Sequence, residues 1–379
     1  IPNFREPPVP DYRGCMLSVF CSPARYVQGR NATESLGEQI KHLGLSGPAL
    51  VVASASVRAM LEQRWQAGLA ANGIDYTVHQ FGGECSQVEI DSGIEAAKVA
   101  GARLVIGAGG GKALDTARAI SSELGLPIVN CPTLASSDAP CSALSVAYTP
   151  DGVFERLIFY PRNPDLVLVD TTVIAQAPRR FLVSGMGDAL ATWYEARTVI
   201  EARNPNQLGG ATTMAAQALA KLCCETLYAD GLDAATAVDS NAVTPALERI
   251  VEANTLLSGL GFESGGLAIA HSVHNGLTAA PPTHDFLHGE KVAFGLLVQL
   301  VVEGRSAEEF EEVRAFCRAV GLPTRLADLG LGEIDEETIV RIAELTVAPG
   351  ETAHHEPFPV TADMIVDGIK AADALASQR

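Results

Sequence analysis

Short apolar runs alternate with stretches of helical apolar spacing in the first half of the chain. The runs typical of buried strands are residues 49–53, 75–79, 103–106 and 127–130, and the helical patterns among them are 57–72, 88–100 and 113–124. Strand and helix alternating at this spacing predict a parallel sheet covered by helices on both faces. From about Pro178 clear strand patterns largely stop, and long Ala- and Leu-rich stretches follow at 187–201, 211–227, 246–259 and 293–303.

These two textures predict two domains. The chain has 379 residues, more than the roughly 100–200 that one domain usually holds. We place the boundary at Pro178, so that residues 1–177 form an α/β domain with a parallel sheet and residues 178–379 form an all-helical domain. Ligands of open α/β sheets bind at the carboxyl ends of the strands, so we expect the active site in the cleft between the two domains.

Charge and cysteine usage narrow the function classes. The chain has 27 Lys and Arg against 45 Asp and Glu, a net charge of −18, and so acidic a surface argues against nucleic-acid and membrane partners. The longest apolar stretch, residues 292–302, is too short to span a bilayer. The Pro-rich residues 1–14 carry no secretion-signal pattern. Eight cysteines without a C-x-x-C pair favour reduced thiols in a cytoplasmic protein.

A glycine-rich turn follows the third of these strands. Residues 107–112 read GAGGGK, end a strand and open a helix. Glycines there let the backbone approach a diphosphate, and a helix start offers free N–H groups and the positive end of a dipole. Asp115 lies in the first part of the helix, where a carboxylate suits that dipole. The spacing is neither the Rossmann nor the P-loop pattern, so a plain strand-to-helix turn stays open as the alternative.

A second polar loop, residues 132–140, follows the next strand. Thr133, Ser136 and Ser137 offer hydroxyl groups at the same edge of the sheet, and Asp138 offers an acceptor. Such groups can bind a phosphate or a carboxamide, although Ser and Asp also serve as local caps in ordinary turns.

Candidate metal ligands lie in the helical half. Asp188 stands at the start of a predicted apolar helix, His271 and His274 share one helix face, and His288 opens the next helix. One Asp and two His can bind a divalent metal and leave positions open for a substrate oxygen. A helix N-cap for the Asp and satisfied core positions for the histidines are the alternatives.

Taken together, the motifs resemble the glycerol dehydrogenases, in the zinc-dependent branch of the iron-containing-type alcohol dehydrogenase superfamily. The resemblance runs in consistent order from about residue 20 to residue 375. Its segments are residues 82–86, 109–112 with Asp115, 132–142, 185–190, 261–266, 271–276, 288–295 and 356–361.

The resemblance implies an N-terminal dinucleotide-binding domain for NAD, a helical C-terminal domain and one zinc ion between them. The implied metal ligands are Asp188, His271 and His288. Four-ligand iron relatives carry a further His where this chain has Thr192, which favours the three-ligand zinc type.

The same resemblance assigns the other site residues. The implied catalytic groups are His274, on the substrate side or behind the metal ligands, and Asp138, which faces substrate or nicotinamide. The cofactor-binding set is Gly109, Gly110, Gly111, Lys112, Asp115, Thr133 and Ser136. In the family an acid usually ends the first strand and binds the adenosine ribose. Here Ser54 stands there, with Arg58 nearby, which weakens the expected preference for NAD over NADP.

The implied activity is NAD-linked oxidation of glycerol or a similar small vicinal diol to the hydroxyketone, with zinc polarising the hydroxyl. We expect a cytoplasmic homo-oligomer. The alternatives are a general alcohol dehydrogenase, a lyase like dehydroquinate synthase, and a non-catalytic binding protein. The lyase must grip a phosphorylated carboxylate, and residues 261–289 contain no Lys or Arg, which counts against it and against glycerol-phosphate dehydrogenases. Loss of a metal ligand would indicate the binding protein, and all three are present.

Overall fold

The computed structural model describes residues 16–378, so the Pro-rich segment 1–14 lies outside the described residues. The strands are β1 (Tyr26–Gly29), β2 (Ala49–Ala53), β3 (Tyr76–Gln80), β4 (Leu104–Gly109), β5 (Ile128–Pro132), β6 (Leu144–Tyr148), β7 (Phe154–Phe159) and β8 (Leu166–Asp170). Six of them form a parallel sheet in the order β1-β8-β5-β4-β2-β3, and β6 and β7 form a separate antiparallel hairpin.

Helices connect these strands and make up the chain from Thr171 onward. In the first part they are α1 (Leu36–His42), α2 (Ala55–Ala70), α3 (Gln87–Ala100) and α4 (Gly111–Leu124). The rest are α5 (Thr171–Ala175), α6 (Arg179–Ala202), α7 (Met214–Asp239), α8 (Pro245–Glu252), α9 (Ser258–Gly265), α10 (Ile269–Leu277), α11 (His288–Val302), α12 (Ala307–Val320), α13 (Glu336–Thr346) and α14 (Ala362–Ala376). A π-helical turn, Ala253–Leu257, joins α8 to α9, and 3₁₀ turns lie at Ala32–Ser35, Pro281–Asp285, Leu326–Leu329 and Thr352–His355.

The predicted fold class, a parallel α/β sheet followed by a helix-rich remainder, is confirmed. Strand β2 has the predicted bounds, and β3, β4 and β5 lie within a few residues of theirs. The edge strand β1, the buried strand β8 and the hairpin were not predicted. Strand β1 is only half-buried along its length, so its sequence carries no apolar run. The division at residue 178 stays a prediction, because one large core contains Val167 and Val169 of β8 together with residues of α6, α10 and α11.

Local signals in the sequence explain where the helices of the sheet begin and end. Ser54 and Ser86 cap α2 and α3, each accepting a hydrogen bond from a backbone N–H three residues on. Gly101 ends α3 and Gly125 ends α4, both in the left-handed conformation that glycine adopts at low cost. Separate apolar clusters cover the two faces of the sheet, one of them around the fully buried Trp65.

The sheet brings the two predicted polar segments together. In the ladder Gly109 pairs with Pro132, and Ala108 pairs with Ala53 of β2. The N–H of Thr133 donates to the carbonyl of Gly109 at 3.0 Å. The glycine-rich turn and the loop after β5 therefore lie side by side at the carboxyl edge of the sheet. Nowhere in residues 16–378 is there a helix with the length and apolar character that crossing a membrane requires.

Candidate metal and cofactor site

Three helices carry the predicted metal ligands. His271 lies in the first turn of α10 and His288 is the first residue of α11, as the sequence pattern indicated. Asp188 is different. The prediction that it begins a helix is wrong, because α6 starts at Arg179 and Asp188 lies inside it. The pattern missed the first turns of α6 because Ser184, Gly185 and Gly187 interrupt the apolar residues there.

Close helix packing brings Asp188 and His288 together. A Cβ atom added to Gly187 would overlap the carbonyl oxygen of Gly289, and one added to Gly289 would overlap the carbonyl oxygen of Ser184. The backbones of α6 and α11 can touch only because both positions lack a side chain. These two glycines flank the ligands in sequence, so the crossing point of the helices is also the place where the ligands meet.

The three side chains converge on one point. Asp188 Oδ1 lies 3.1 Å from His288 Nε2 and 3.3 Å from His271 Nε2, and all three ligand atoms lie within 4.8 Å of one another. Asp188 is fully buried, whereas the side chain of His288 is 39% exposed. Burial acts to raise the pKa of Asp188, but the neighbouring His288 and His271 hold that pKa well below its ordinary value.

Each predicted ligand also makes a contact through its second polar atom. Asp188 Oδ2 accepts a hydrogen bond from the backbone N–H of Asp138 at 3.2 Å. His271 Nδ1 lies 2.5 Å from Glu195 Oε2, and His288 Nδ1 lies 3.0 Å from His274 Nε2. Such outer partners orient ligand side chains and fix which ring nitrogen carries the proton.

The donor set fits a divalent metal. One buried carboxylate oxygen and two imidazole nitrogens face one another, and within residues 16–378 no Lys or Arg forms an ion pair with Asp188. A buried carboxylate needs a positive partner. Mixed nitrogen and oxygen ligands suit zinc and similar ions.

His274 is close to the ligands but does not point at Asp188. Its Nδ1 lies 3.1 Å from Asn275 Oδ1, and the Asn275 amide donates to Glu351 at 3.0 Å. Burial lowers the pKa of His274 well below its ordinary value, and the positive charges of His288, Lys291 and His271 lower it further. A neutral ring can accept at Nε2 from His288 and donate at Nδ1 to Asn275. Its predicted catalytic role stays a prediction.

The glycine-rich turn has the form predicted for it. Gly109 ends β4 with φ +154°, and Gly110 caps α4 without a side-chain hydrogen bond. An added Cβ at Gly110 would have Leu134 Cδ1 as its nearest neighbour, at 3.3 Å. The first N–H groups of α4 have no partners within the helix, so the turn presents backbone donors to the space beside it.

The charged side chains near this turn are already engaged. Lys112 Nζ lies 2.6 Å from Glu84 Oε1 and 4.9 Å from the centroid of the Tyr148 ring. Asp115 is buried; it pairs with Arg118 at 2.9 Å and accepts from the N–H of Val146 at 3.0 Å. The Asp115 contacts tie α4 to the hairpin. A cofactor contact by Lys112 or Asp115 stays a prediction.

The loop after β5 joins the turn to the metal ligands. Asp138 is buried, its Oδ2 accepts from Ser258 Oγ at 2.8 Å, and burial next to Asp188 raises its pKa well above the ordinary value. The Ser136 carbonyl accepts from Ser184 Oγ on α6 at 3.2 Å. The predicted substrate-facing role of Asp138 and the cofactor roles of Thr133 and Ser136 stay predictions, on a loop that reaches both sites.

Sequence reasoning missed Glu195, Ser258, Lys291 and the packing role of Gly187 and Gly289. Glu195 had a usable signal. It follows Asp188 by two helical turns, so the two acids share one face of an otherwise apolar helix. Lys291 is buried one turn after His288, and burial lowers its pKa to about 8.

Comparison with known proteins places the chain among dehydrogenases. The model of a family described as iron-containing alcohol dehydrogenase matches residues 23–171. A glycerol dehydrogenase from Thermotoga maritima is 48% identical, over 96% of this chain and 99% of its own length. A glycolaldehyde reductase from Halobacterium salinarum is 49% identical, over 95% of this chain and 98% of its own. The crystal structure of glycerol dehydrogenase from Schizosaccharomyces pombe superposes with a TM-score of 0.91 at 41% identity, covering 96% of this chain and 92% of that one.

Proposed function

The chain belongs to the iron-containing alcohol dehydrogenase family, and we propose that it oxidises glycerol or a similar small vicinal diol with NAD. The reaction moves a hydride from the diol carbon to the nicotinamide and releases one proton, so that glycerol gives dihydroxyacetone. The observation that carries the proposal is the convergence of Asp188, His271 and His288 beside a loop that also borders a glycine-rich turn.

We propose that these three residues hold one zinc ion. A bound zinc ion would supply Lewis acidity, which lowers the pKa of a hydroxyl group and so favours loss of hydride from the carbon that bears it. The surroundings support a three-residue set. Thr192, one helical turn after Asp188, is fully buried and hydrogen bonds to Ser258 at 2.8 Å, and Ser258 in turn hydrogen bonds to Asp138. The Thr192 hydroxyl is thereby committed to a partner other than the metal.

The cofactor diphosphate is proposed to bind at Gly109, Gly110 and Gly111, held by main-chain N–H groups at the start of α4. This arrangement suits a chain of net charge −18, whose overall field repels phosphate. Thr133 and Ser136 lie on the neighbouring loop. Lys112 would have to leave Glu84 to reach a phosphate.

The protein's own groups position the reactants. The loop from Thr133 to Asp138 touches the turn at one end and Asp188 at the other. It therefore sets the distance between cofactor and diol, which is a large part of catalysis in such sites. The hydrogen-bonded series His288, His274, Asn275 and Glu351 leads from the predicted ligands to half-buried Glu351, and we propose that it fixes the orientation of His288, while the released proton passes to solvent on the exposed side of His288.

The charges around the site favour a neutral substrate. Residues 261–289 contain no Lys or Arg, and Lys291 is the lysine whose charge acts on His274. A single lysine is fewer than the several basic groups that are needed to bind a phosphorylated carboxylate. A lyase like dehydroquinate synthase is therefore not favoured.

The 49% identity to a glycolaldehyde reductase favours a second candidate, reduction of a small hydroxyaldehyde. The site requirements are the same, because hydride transfer is reversible and the carbonyl would occupy the place of the diol oxygen. Comparing NADH-dependent reduction of glycolaldehyde with that of dihydroxyacetone separates the two candidates.

Reconstitution of metal-stripped protein with zinc tests the main proposal. Initial rates of NAD reduction would be measured with glycerol, 1,2-propanediol and 1-propanol. We expect turnover only after zinc is added, and kcat/KM for the diols at least ~100-fold above that for 1-propanol, since a site built to bind a hydroxyl rejects the analogue without it. Comparable values for 1-propanol and 1,2-propanediol would indicate a general alcohol dehydrogenase.

We further propose a cytoplasmic homo-oligomer. All seven cysteines within residues 16–378 are free, which suits a reducing compartment. Val153, Leu157 and Phe159 on the β6–β7 hairpin are exposed apolar residues of the kind found at subunit contacts. Light scattering on the purified protein measures the mass, and a monomer at all concentrations would contradict the oligomer.

A further inference from the structure

Glu195 is a fully buried acid on α6, two turns after Asp188. Within residues 16–378 it forms no ion pair with a Lys or Arg. Its Oε1 accepts the backbone N–H of Ala268 at 2.8 Å and that of His271 at 3.1 Å. Its Oε2 lies 2.5 Å from His271 Nδ1.

The backbone contacts of Glu195 are those of a hydrogen-bond acceptor. Both backbone donors belong to the start of α10 (Ile269–Leu277), where the helix dipole is positive and the first N–H groups lack partners within the helix. A neutral imidazole that binds a metal through Nε2, the atom that faces Asp188, carries its hydrogen on Nδ1. The hydrogen in the contact with His271 must then lie on Nδ1 of the ring.

Resting on the proposed function, we infer that Glu195 is a positioning residue for the metal site. It holds His271 in the tautomer that is protonated at Nδ1, so that the lone pair of Nε2 faces Asp188. The same carboxylate binds the backbone and the ring of His271, and this pair of contacts restrains the side-chain torsions of the ligand. Outer partners of this kind raise metal affinity because a misoriented or wrongly protonated imidazole cannot bind.

His288 has a different partner. Its Nδ1 faces His274, an imidazole that can donate or accept, and its side chain is 39% exposed against 12% for His271. Only the His271 tautomer is therefore fixed by a carboxylate. The alternative role for Glu195 is to cap α10 without any effect on the metal site.

Glu195→Gln separates these two roles. The amide oxygen can still accept the two backbone N–H groups, so the cap is kept. The amide nitrogen, however, donates, which makes His271 Nδ1 an acceptor and moves the ring proton to Nε2, the atom that should bind the metal. Glu195→Asp keeps an acceptor-only group on a shorter side chain and should restore part of the affinity.

The experiment measures the zinc dissociation constant of metal-stripped protein by competition with a chelating dye. We expect Glu195→Gln to weaken zinc binding by ~10–100-fold, with Glu195→Asp between it and the original protein. Glu263→Gln is the matched control, because Glu263 is also a buried acid that accepts a backbone N–H, from Ala143, and contacts none of the three ligands. It should bind zinc like the original protein. Unfolding curves of the metal-free variants report any loss of the cap separately.

Unchanged zinc affinity in folded Glu195→Gln would overturn the inference and leave Glu195 as a cap alone. If that variant does not fold, the tautomer of His271 is measured instead, from ¹⁵N spectra of the histidine rings in the zinc-loaded original protein. We expect His271 protonated at Nδ1 and bound to zinc through Nε2, and a proton on Nε2 would overturn the inference. A protein that shows this tautomer but oxidises no diol would contradict the proposed function alone.

Discussion

The glycine-rich turn and the candidate metal site border the same loop but are built in opposite ways. The turn is contiguous in sequence and offers backbone groups, with no side-chain cap at Gly110. The candidate metal site draws Asp188, His271 and His288 from three helices, and each of these side chains contacts an outer partner. A site made of main-chain groups is damaged by substitutions that add side-chain atoms. A site made of side chains is damaged by substitutions that remove a ligand or exchange an acceptor for a donor.

Glycine serves both regions for different reasons. At Gly110 the missing side chain exposes the main chain that we propose for the cofactor, and an added Cβ would lie 3.3 Å from Cδ1 of the flexible Leu134. At Gly187 and Gly289 it leaves room for another helix. Substitution at the first position should therefore change binding, and substitution at the second should change packing.

The largest expected effect is the loss of a metal ligand. In His288→Ala and Asp188→Asn we expect bound metal to disappear and turnover to fall by more than ~100-fold, since removing a ligand costs more than removing an outer partner. The fold should persist, because His288 is partly exposed and Asn is close to Asp in shape. Elemental analysis and initial rates measure both quantities. Full activity in metal-free His288→Ala would contradict the assignment.

Gly110→Val tests the turn. The residue has φ −81°, which any L-residue adopts, but Val is a poorer helix cap than Gly and must displace Leu134, so we expect a modest fall in the melting temperature. The isopropyl group would occupy the approach of the diphosphate, and we expect binding of NADH, followed by its fluorescence, to weaken by ~10-fold or more, in line with the loss of one or two good hydrogen bonds to a charged group. NADH binding equal to that of the original protein would show that the cofactor does not approach this turn.

Gly289→Ala tests the helix crossing. The added methyl overlaps the Ser184 carbonyl, and overpacking of this kind typically lowers the free energy of unfolding by about 1–3 kcal/mol. Metal affinity should fall as α11 moves away from α6. Gly332→Ala is the control, because its added Cβ makes only ordinary contact with Ala327. Equal stability of the two variants in denaturant titrations would mean that the crossing is not tight.

The smallest expected effect concerns the choice between NAD and NADP. Ser54 caps α2 at the end of the strand beside β4, and Arg58 is paired with Glu62. We expect modest discrimination between the two cofactors. Ser54→Asp should favour NAD without loss of stability, because Asp is also a good helix cap. Kinetics with both cofactors measure this, and a very strong NAD preference in the original protein would show that Ser54 is not decisive.

The same contrast explains how much the sequence could predict. The strand, turn and helix around Gly110 are neighbours in sequence, so local pattern placed them within a few residues. The His271 and His288 pattern was visible for the same reason. The start of α6 ahead of Asp188 was missed because Gly185 and Gly187 interrupt its apolar pattern. The contact of Glu195 with His271 depends on how α6 and α10 pack against each other, which local sequence pattern does not encode. The β6–β7 hairpin was missed because short, half-exposed strands carry a weak signal.

Anomalous X-ray diffraction at the zinc edge, from crystals of the zinc-loaded protein, tests the central claim most directly. The account predicts one strong peak among α6, α10 and α11, at about 2.0–2.2 Å from an oxygen of Asp188 and from Nε2 of both His271 and His288. The absence of a peak there, or a peak bound through His274 in place of either ligand histidine, would contradict it.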